Sequence, residues 1–200
     1  MPHAPSSPHS LTDIVSSAIP EPELVHLAHR VQLLLMDVDG TLTDGKIQFA
    51  PDSQGRMIET KAFDAQDGIA LRWLAWHKIK TGVISGRDSP ATVERARQVE
   101  MTYVFQGHVE KIPILEQIVA DSGLHPTQIA YIGDDLTDVV IMRRVGVAIA
   151  TANARREVKA AAHCVTTLPG GSGAVREAVE LILRAKGLWQ GILEKYEVAR

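Results

Sequence analysis

The sequence predicts an α/β fold: a single Rossmann-like, doubly wound parallel sheet with helices on both faces and a β-hairpin flap. Three observations predict it. Short apolar runs rich in Val, Ile and Leu alternate with helix-like segments from residue 31 to residue 186, the pattern of parallel strands joined by crossover helices. Two of those runs end in a glycine turn that carries carboxylates, Asp37-Val38-Asp39-Gly40 and Gly133-Asp134-Asp135. In open parallel sheets the ligand sits beyond the carboxyl ends of the strands, where both turns fall. Between the first two long strands lies a stretch of hairpin character, placed to stand over that end.

In chain order, residues 1–20 hold Pro2, Pro5, Pro8 and Pro20 among serines and two histidines; such a segment has little to bury and reads as a flexible tail. Residues 21–200 read as the domain. A short helix from Glu21 to His29 leads into an apolar strand over 31–37. Lys46-Ile47-Gln48-Phe49 alternates, Pro51-Asp52-Ser53-Gln54-Gly55 is turn-rich and Arg56 to Phe63 is extended in character, which gives a hairpin over about 45–63. Further strands are expected at 81–85, 102–105, 128–132, 146–150 and 163–166. Helices are expected at 66–78, 89–99, 109–122, 135–144, 154–161 and 173–186. Asp88 before Ser89-Pro90, and Asp134-Asp135 before Leu136, suit helix starts. No internal repeat is evident.

Composition narrows the class. Two hundred residues, 45% apolar and 22% charged, with a net charge of −3, suit one globular domain. That charge argues against a nucleic acid or anionic membrane partner. Cys164 is the lone cysteine, so no internal disulfide is possible, and within Ala161-Ala162-His163-Cys164-Val165 it reads as a small core residue. No apolar run approaches the ~20 residues of a membrane span, and the N-terminus carries no export signal. The expectation is a cytoplasmic protein.

Side chains alternate along a strand, so Asp37 and Asp39 share a face where the strand ends. Gly40 lets the backbone turn tightly beside them. Two carboxylates so placed suit phosphoryl chemistry, in which one attacks phosphorus and the other handles the proton. Asp134, Asp135 and Asp138 follow a second strand end. Acidic residues in a first helical turn often do no more than complement the helix dipole. Together with Asp37 and Asp39 they offer the oxygen ligands that Mg²⁺ prefers. Ser85-Gly86-Arg87 after an apolar strand, and Lys111 opening a helix, add a hydroxyl and cations for a phosphate at the sheet's rim.

These motifs, in this order, resemble the haloacid dehalogenase-like phosphohydrolases. The resemblance implies Asp37 as nucleophile and Asp39 as general acid and base. It implies Ser85 and Lys111 as grips on the phosphoryl oxygens, and Mg²⁺ held by Asp37, Asp39 and Asp134 with Asp135 and Asp138 assisting. Members of this family often insert a cap domain, but here the intervals from Asp39 to Ser85 and from Ser85 to Lys111 leave room for none. A neighbouring subunit is therefore expected to complete the lid. Length, hairpin, Thr43-Asp44-Gly45, Lys61-Ala62-Phe63, Asp67-Gly68, Phe105-Gln106-Gly107 and the tail Pro169-Gly170-Gly171-Ser172-Gly173 resemble one branch, the 3-deoxy-D-manno-octulosonate 8-phosphate (KDO 8-phosphate) phosphatases. Ser172 stands where that branch commonly has arginine, and Ala70 where it often has glycine. The branch implies a homotetramer acting on a small sugar phosphate in lipopolysaccharide core sugar synthesis, with Thr41, Gly86, Arg87, Lys61 and Arg176 as substrate contacts. The competing readings are a phosphatase for a nine-carbon sialic-type 9-phosphate, a broad-specificity sugar phosphatase, and a non-catalytic assembly module of the same fold. His26 and His29 have helix-face spacing but no partner ligand nearby and read as surface residues. Trp73 and Trp76 read as core.

Overall fold

The structure, a computed structural model, describes residues 14–19 and 21–198. Its elements in order are β1 (Val15–Ser17), α1 (Glu21–His29), β2 (Leu33–Met36), β3 (Gln48–Pro51), β4 (Met57–Thr60), α2 (Ala65–Trp76), β5 (Lys80–Ile84), α3 (Pro90–Gln98), β6 (Tyr103–Phe105), α4 (Ile112–Ser122), a 3₁₀ turn (Pro126–Gln128), β7 (Ile129–Gly133), α5 (Leu136–Met142), β8 (Val147–Ala150), α6 (Arg156–Ala161), β9 (Cys164–Thr166), α7 (Ala174–Ala185) and α8 (Trp189–Lys195). Seven strands form one sheet in the order β1-β9-β8-β7-β2-β5-β6, and β3 and β4 form a separate two-stranded sheet. All pairings in the large sheet are parallel except β1 with β9. Among the described residues no helix is long and apolar enough to cross a membrane.

The core explains the continuous apolar runs. Along β2, Leu34 and Met36 pack into one cluster with residues of α1, α2, α7 and α8, while Leu33 and Leu35 pack into a second cluster with residues of α4, α5 and α6. A strand covered on both faces has no polar side to alternate with, so it reads as one apolar block. Cys164 is fully buried in the first cluster.

β2 lies between β5 and β7, with Met36 opposite both Val83 and Ile132. The residues after these three strand ends, Asp37, Ser85 and Asp134, are thereby brought to one rim. β3 and β4 pair antiparallel between those strands in sequence, with Gln48 opposite Thr60. The hairpin tip is closed by Asp52, whose carboxylate accepts from the Gln54 and Arg56 N–H groups at 2.8 and 2.9 Å. Ile47, Phe49, Met57 and Ile58 are exposed on it.

Three expectations are corrected. Within the expected tail, Val15–Ser17 forms the edge strand β1; Val15 is buried against the first cluster, and that burial offsets the entropy of ordering it. Residues 1–13 and 20 lie outside the described residues. Helix α8 was not expected, because Gly187 and Gly191 break up its short pattern. Trp73 is core but Trp76 is exposed, covered on one side by the Lys195 ammonium 4.5 Å above its ring. The buried stripe of α2 runs through Ala70, Leu71, Trp73 and Leu74, and Trp76 ends the helix outside it.

Candidate active site

The nucleophile candidate sits on the central strand. The Asp37 N–H continues the β2–β7 ladder by donating to Ile132 O at 3.0 Å, so its position is fixed by the sheet. The chain then curls tightly: the N–H groups of Leu42 and Thr43 both donate to Val38 O at 2.9 Å. Gly40 sits in this curl at φ +99°. A Cβ there would overlap an Asp134 carboxylate oxygen, with the carboxyl carbon only 2.6 Å away. Only glycine meets both demands.

Lys111, at the start of α4, is buried and reaches back across the rim. Its ammonium donates to Asp37 Oδ1 at 2.6 Å, Asp138 Oδ1 at 2.7 Å and the Tyr131 hydroxyl at 3.0 Å. Burial opposes its charge, but the carboxylates of Asp37 and Asp138 outweigh that and hold its pKa above the ordinary lysine value. Asp134 accepts from the Thr41 hydroxyl at 2.9 Å. Asp37, Asp134 and Asp138 each bring a carboxylate oxygen within 4.8 Å of the others.

That crowding has an electrostatic cost. Burial, with Asp138 adding to it and Lys111 opposing it, pushes the Asp37 carboxyl up to about 6. Burial also pushes Asp134 up to about 7; the Thr41 hydrogen bond opposes this, and the negative charges of Asp37 and Asp138 add to it. Buried carboxylates that hold protons so readily are short of positive charge. Hard oxygen donors in this arrangement fit a divalent cation such as Mg²⁺, which exchanges the protons for a metal charge.

Not every expected ligand is free to bind one. Asp138 Oδ2 accepts from the N–H groups of Asp134 and Asp135 at 2.9 and 3.0 Å. Its Oδ1 accepts from Lys111 and from the Tyr131 hydroxyl, both at 2.7 Å. A carboxylate has about four lone-pair sites, and all four are taken. Asp138 thus shapes the site from beneath, as the N3 residue of a capping box that starts α5. Asp135 is the N-cap of that helix, with its side chain accepting from Leu136 N at 2.7 Å. Of the clustered carboxylates Asp37, Asp134 and Asp138, this leaves Asp37 and Asp134 open to a cation.

The hairpin meets the site through charge. Lys61, just past β4, pairs with Asp39 and, at 3.0 Å, with Glu59. Glu59 also pairs with Arg87, which follows Ser85 and Gly86 at the end of β5. Arg87 and Lys61 hold the Glu59 carboxyl below its ordinary range. Ser85 is buried, and its hydroxyl accepts from Arg87 N at 3.1 Å. Gly86 is half-buried there, beside Val109.

Of the expected substrate contacts, one is engaged within the cluster and one lies apart from it. The Thr41 hydroxyl is committed to Asp134. Arg176 faces away from this cluster: its guanidinium stacks 4.1 Å from the centre of the Trp73 ring and pairs with Glu180 at 2.6 Å. Flat, weakly hydrated guanidinium on an aromatic face is a stable packing of its own. His26 and His29 are exposed, and His29 Nδ1 lies 3.1 Å from Ala185 O.

Three contributors were not singled out from the sequence. Tyr131 lies under Lys111. Asn153 joins the curl to the glycine-rich loop, donating to Gly40 O at 2.9 Å and accepting from Gly170 N at 2.7 Å. Glu59 gathers the hairpin's charges. A signal existed only for Tyr131, a polar group two residues before Gly133 in an otherwise apolar strand.

A family model for haloacid dehalogenase-like hydrolases matches residues 77–176. The 3-deoxy-D-manno-octulosonate 8-phosphate phosphatase of Yersinia pestis is 37% identical over 169 residues, 84% of this chain and 88% of that protein. Its counterpart in Escherichia coli K12 is 33% identical over 165 residues, 82% of this chain and 86% of that protein. The crystal structure of the phosphatase of that name from Moraxella catarrhalis, in complex with magnesium ion, phosphate ion and KDO, superposes with a TM-score of 0.82 at 36% identity, covering 88% of this chain and 99% of that one. With Asp37, Ser85, Lys111 and Asp134 gathered at one sheet rim, the chain belongs to the haloacid dehalogenase-like hydrolases, in the branch of the 3-deoxy-D-manno-octulosonate 8-phosphate phosphatases.

Proposed function

We propose that the protein is a Mg²⁺-dependent phosphatase that hydrolyses KDO 8-phosphate to KDO and inorganic phosphate in the cytoplasm, on the route to lipopolysaccharide core sugar. The observation that carries this reading is the cluster of Asp37, Asp134 and Lys111 at the end of the central strand. An Asp37 oxygen attacks phosphorus as the bond from phosphorus to the sugar oxygen breaks, giving an aspartyl-phosphate. Asp39 gives its proton to the departing sugar oxygen. It then takes a proton from the water that attacks phosphorus, and phosphate leaves with Asp37 restored. Lys111 and Ser85 hold the phosphoryl oxygens through both steps. Asp37, Asp134 and the backbone carbonyl of Asp39 would hold Mg²⁺, which would supply the positive charge that lets a carboxylate approach a phosphate.

Lys61 and Arg87 are the cations for the sugar-acid carboxylate. Both pair with Glu59 of the hairpin, Lys61 buried beside Asp39 and Arg87 more exposed, and an arginine fork suits a carboxylate. A homotetramer whose neighbouring subunit closes the mouth is the second part of the proposal. It is supported by the exposed Ile47, Phe49, Met57 and Ile58 on the hairpin, an apolar group of the kind that marks an interface.

The test is phosphate release from KDO 8-phosphate with Mg²⁺, against a panel of phosphate esters, with EDTA and Asp37→Asn as controls. Preference for KDO 8-phosphate that both controls abolish is the expected result. Equal rates across the panel, or a faster nine-carbon substrate, would overturn the named substrate. Undiminished activity of Asp37→Asn would overturn the mechanism.

A further inference from the structure

Tyr131 is fully buried in β7, and its hydroxyl lies directly under the site. An ammonium has three N–H donors and no acceptor. Lys111 meets three acceptors, Asp37 at 2.6 Å, Asp138 at 2.7 Å and Tyr131 at 3.0 Å. The Tyr131 hydroxyl is also 2.7 Å from Asp138 Oδ1. Because Lys111 can only donate, the phenol oxygen accepts from it, and the phenol proton goes to Asp138. Asp138 in turn cannot swing, since its other oxygen is held by two backbone N–H groups.

Lys111 is therefore gripped from below at two points by groups with no reaction of their own. Its third N–H alone faces Asp37, the direction from which a phosphoryl group arrives. We propose that Tyr131 is a positioning residue, whose hydroxyl fixes the rotation of the Lys111 ammonium so that one N–H is aimed at the nucleophile and the phosphoryl oxygens. This rests on the reading of Asp37 as nucleophile and Lys111 as phosphoryl grip. A tyrosine that only fills the core is the rival account, and the two differ in what the hydroxyl does.

Tyr131→Phe keeps the ring and removes the hydroxyl. With an acceptor gone, the ammonium is free to turn between the two carboxylates. The expected result is a fall in kcat of about ten-fold or more with KM within about three-fold, since the loss falls on the transition state. Equilibrium binding of orthovanadate, measured by calorimetry with Mg²⁺ present, weakens by a similar factor. In a Lys111→Met background, adding Tyr131→Phe changes vanadate binding no further, because residues acting through one another are not additive. Wild-type kcat and vanadate affinity in Tyr131→Phe, or equal effects with and without Lys111, would overturn the proposal whatever the melting temperature does. Should Tyr131→Phe not be recovered folded, 4-fluorophenylalanine at 131 fills the space of the hydroxyl while donating no hydrogen bond and accepting one only very poorly, and the same readouts apply. Asp37→Asn run in parallel separates the failures: an active Asp37→Asn sinks the underlying reading, whereas an inactive one beside a wild-type Tyr131→Phe sinks this inference alone.

Discussion

Gly170→Ala isolates how the glycine-rich loop supports the nucleophile turn. A Cβ on Gly170 would overlap the Gly40 carbonyl oxygen, with the carbonyl carbon at 2.5 Å and Thr41 Cα at 2.9 Å. Carbon atoms in ordinary contact sit about 3.5–4.0 Å apart, so the two backbones must part by roughly 1 Å. Neither is a flexible side chain that could step aside. Overpacking of this kind costs about 1–3 kcal/mol. Parting the segments also strains the Asn153 clasp, whose two hydrogen bonds at 2.9 and 2.7 Å contribute about 1 kcal/mol each. The expected loss is about 3–5 kcal/mol. Gly40 lies between Asp39 and Thr41, so the same shift moves the catalytic turn, and 1 Å there can cost about 100-fold in rate. Gly191→Ala in α8 is the control: nothing lies within 4 Å of its Cβ position, and an alanine in a helix is worth about 0.5–1 kcal/mol over glycine. Urea unfolding followed by circular dichroism, with kcat/KM on the same samples, reads both quantities. Gly170→Ala with the stability and rate of the wild type would refute the close approach of the two loops.

Two further outcomes follow from the site and its surroundings. Asp37 at about 6 and Asp134 at about 7 hold their protons more tightly folded than at their ordinary 3.8. Their contribution to stability is full below about pH 4 and is lost as the pH rises through 6 to 7. In EDTA the melting temperature should rise as the pH falls from 8 toward 5, and saturating Mg²⁺ should flatten that slope; identical slopes with and without the metal would contradict the crowding of these carboxylates. Arg176→Ala should lower stability by about 1–2 kcal/mol through its lost stacking on Trp73 and leave KM for KDO 8-phosphate unchanged. A ten-fold rise in KM without destabilisation would return Arg176 to the substrate.

How far the sequence could be read depended on whether a residue's partner was local. The six parallel strands and the helices between them were legible because two-sided burial writes itself as continuous apolar runs, and the observed ends fall within a few residues of those expected. Asp37, Ser85 and Asp134 were legible because each follows a strand end, and Lys111 because it opens a helix on the same rim. The roles of Asp138 and Thr41 were not. Asp138 looks like a ligand from its spacing, yet four hydrogen bonds from Lys111, Tyr131 and two backbone N–H groups use up its oxygens. Arg176 was misplaced for a related reason: its aromatic partner Trp73 is 103 positions away in number. β1 escaped because three residues hold too short a pattern, and only its partner β9 makes them a strand.

That edge strand also governs how the chain associates with others. An open sheet edge presents unpaired N–H and C=O groups to any extended segment it meets. On the β9 side residues 15–17 take that outermost place, and an edge of only three residues is a poor template: Val15, Ser16 and Ser17 face Thr166, Val165 and Cys164, and Ala18 N donates to His163 O at 2.9 Å. Cutting the chain at residue 21 would leave every group of the active site in place while baring a short apolar ladder. The damage would appear as self-association and poor solubility, with the activity of the remaining dispersed molecules intact.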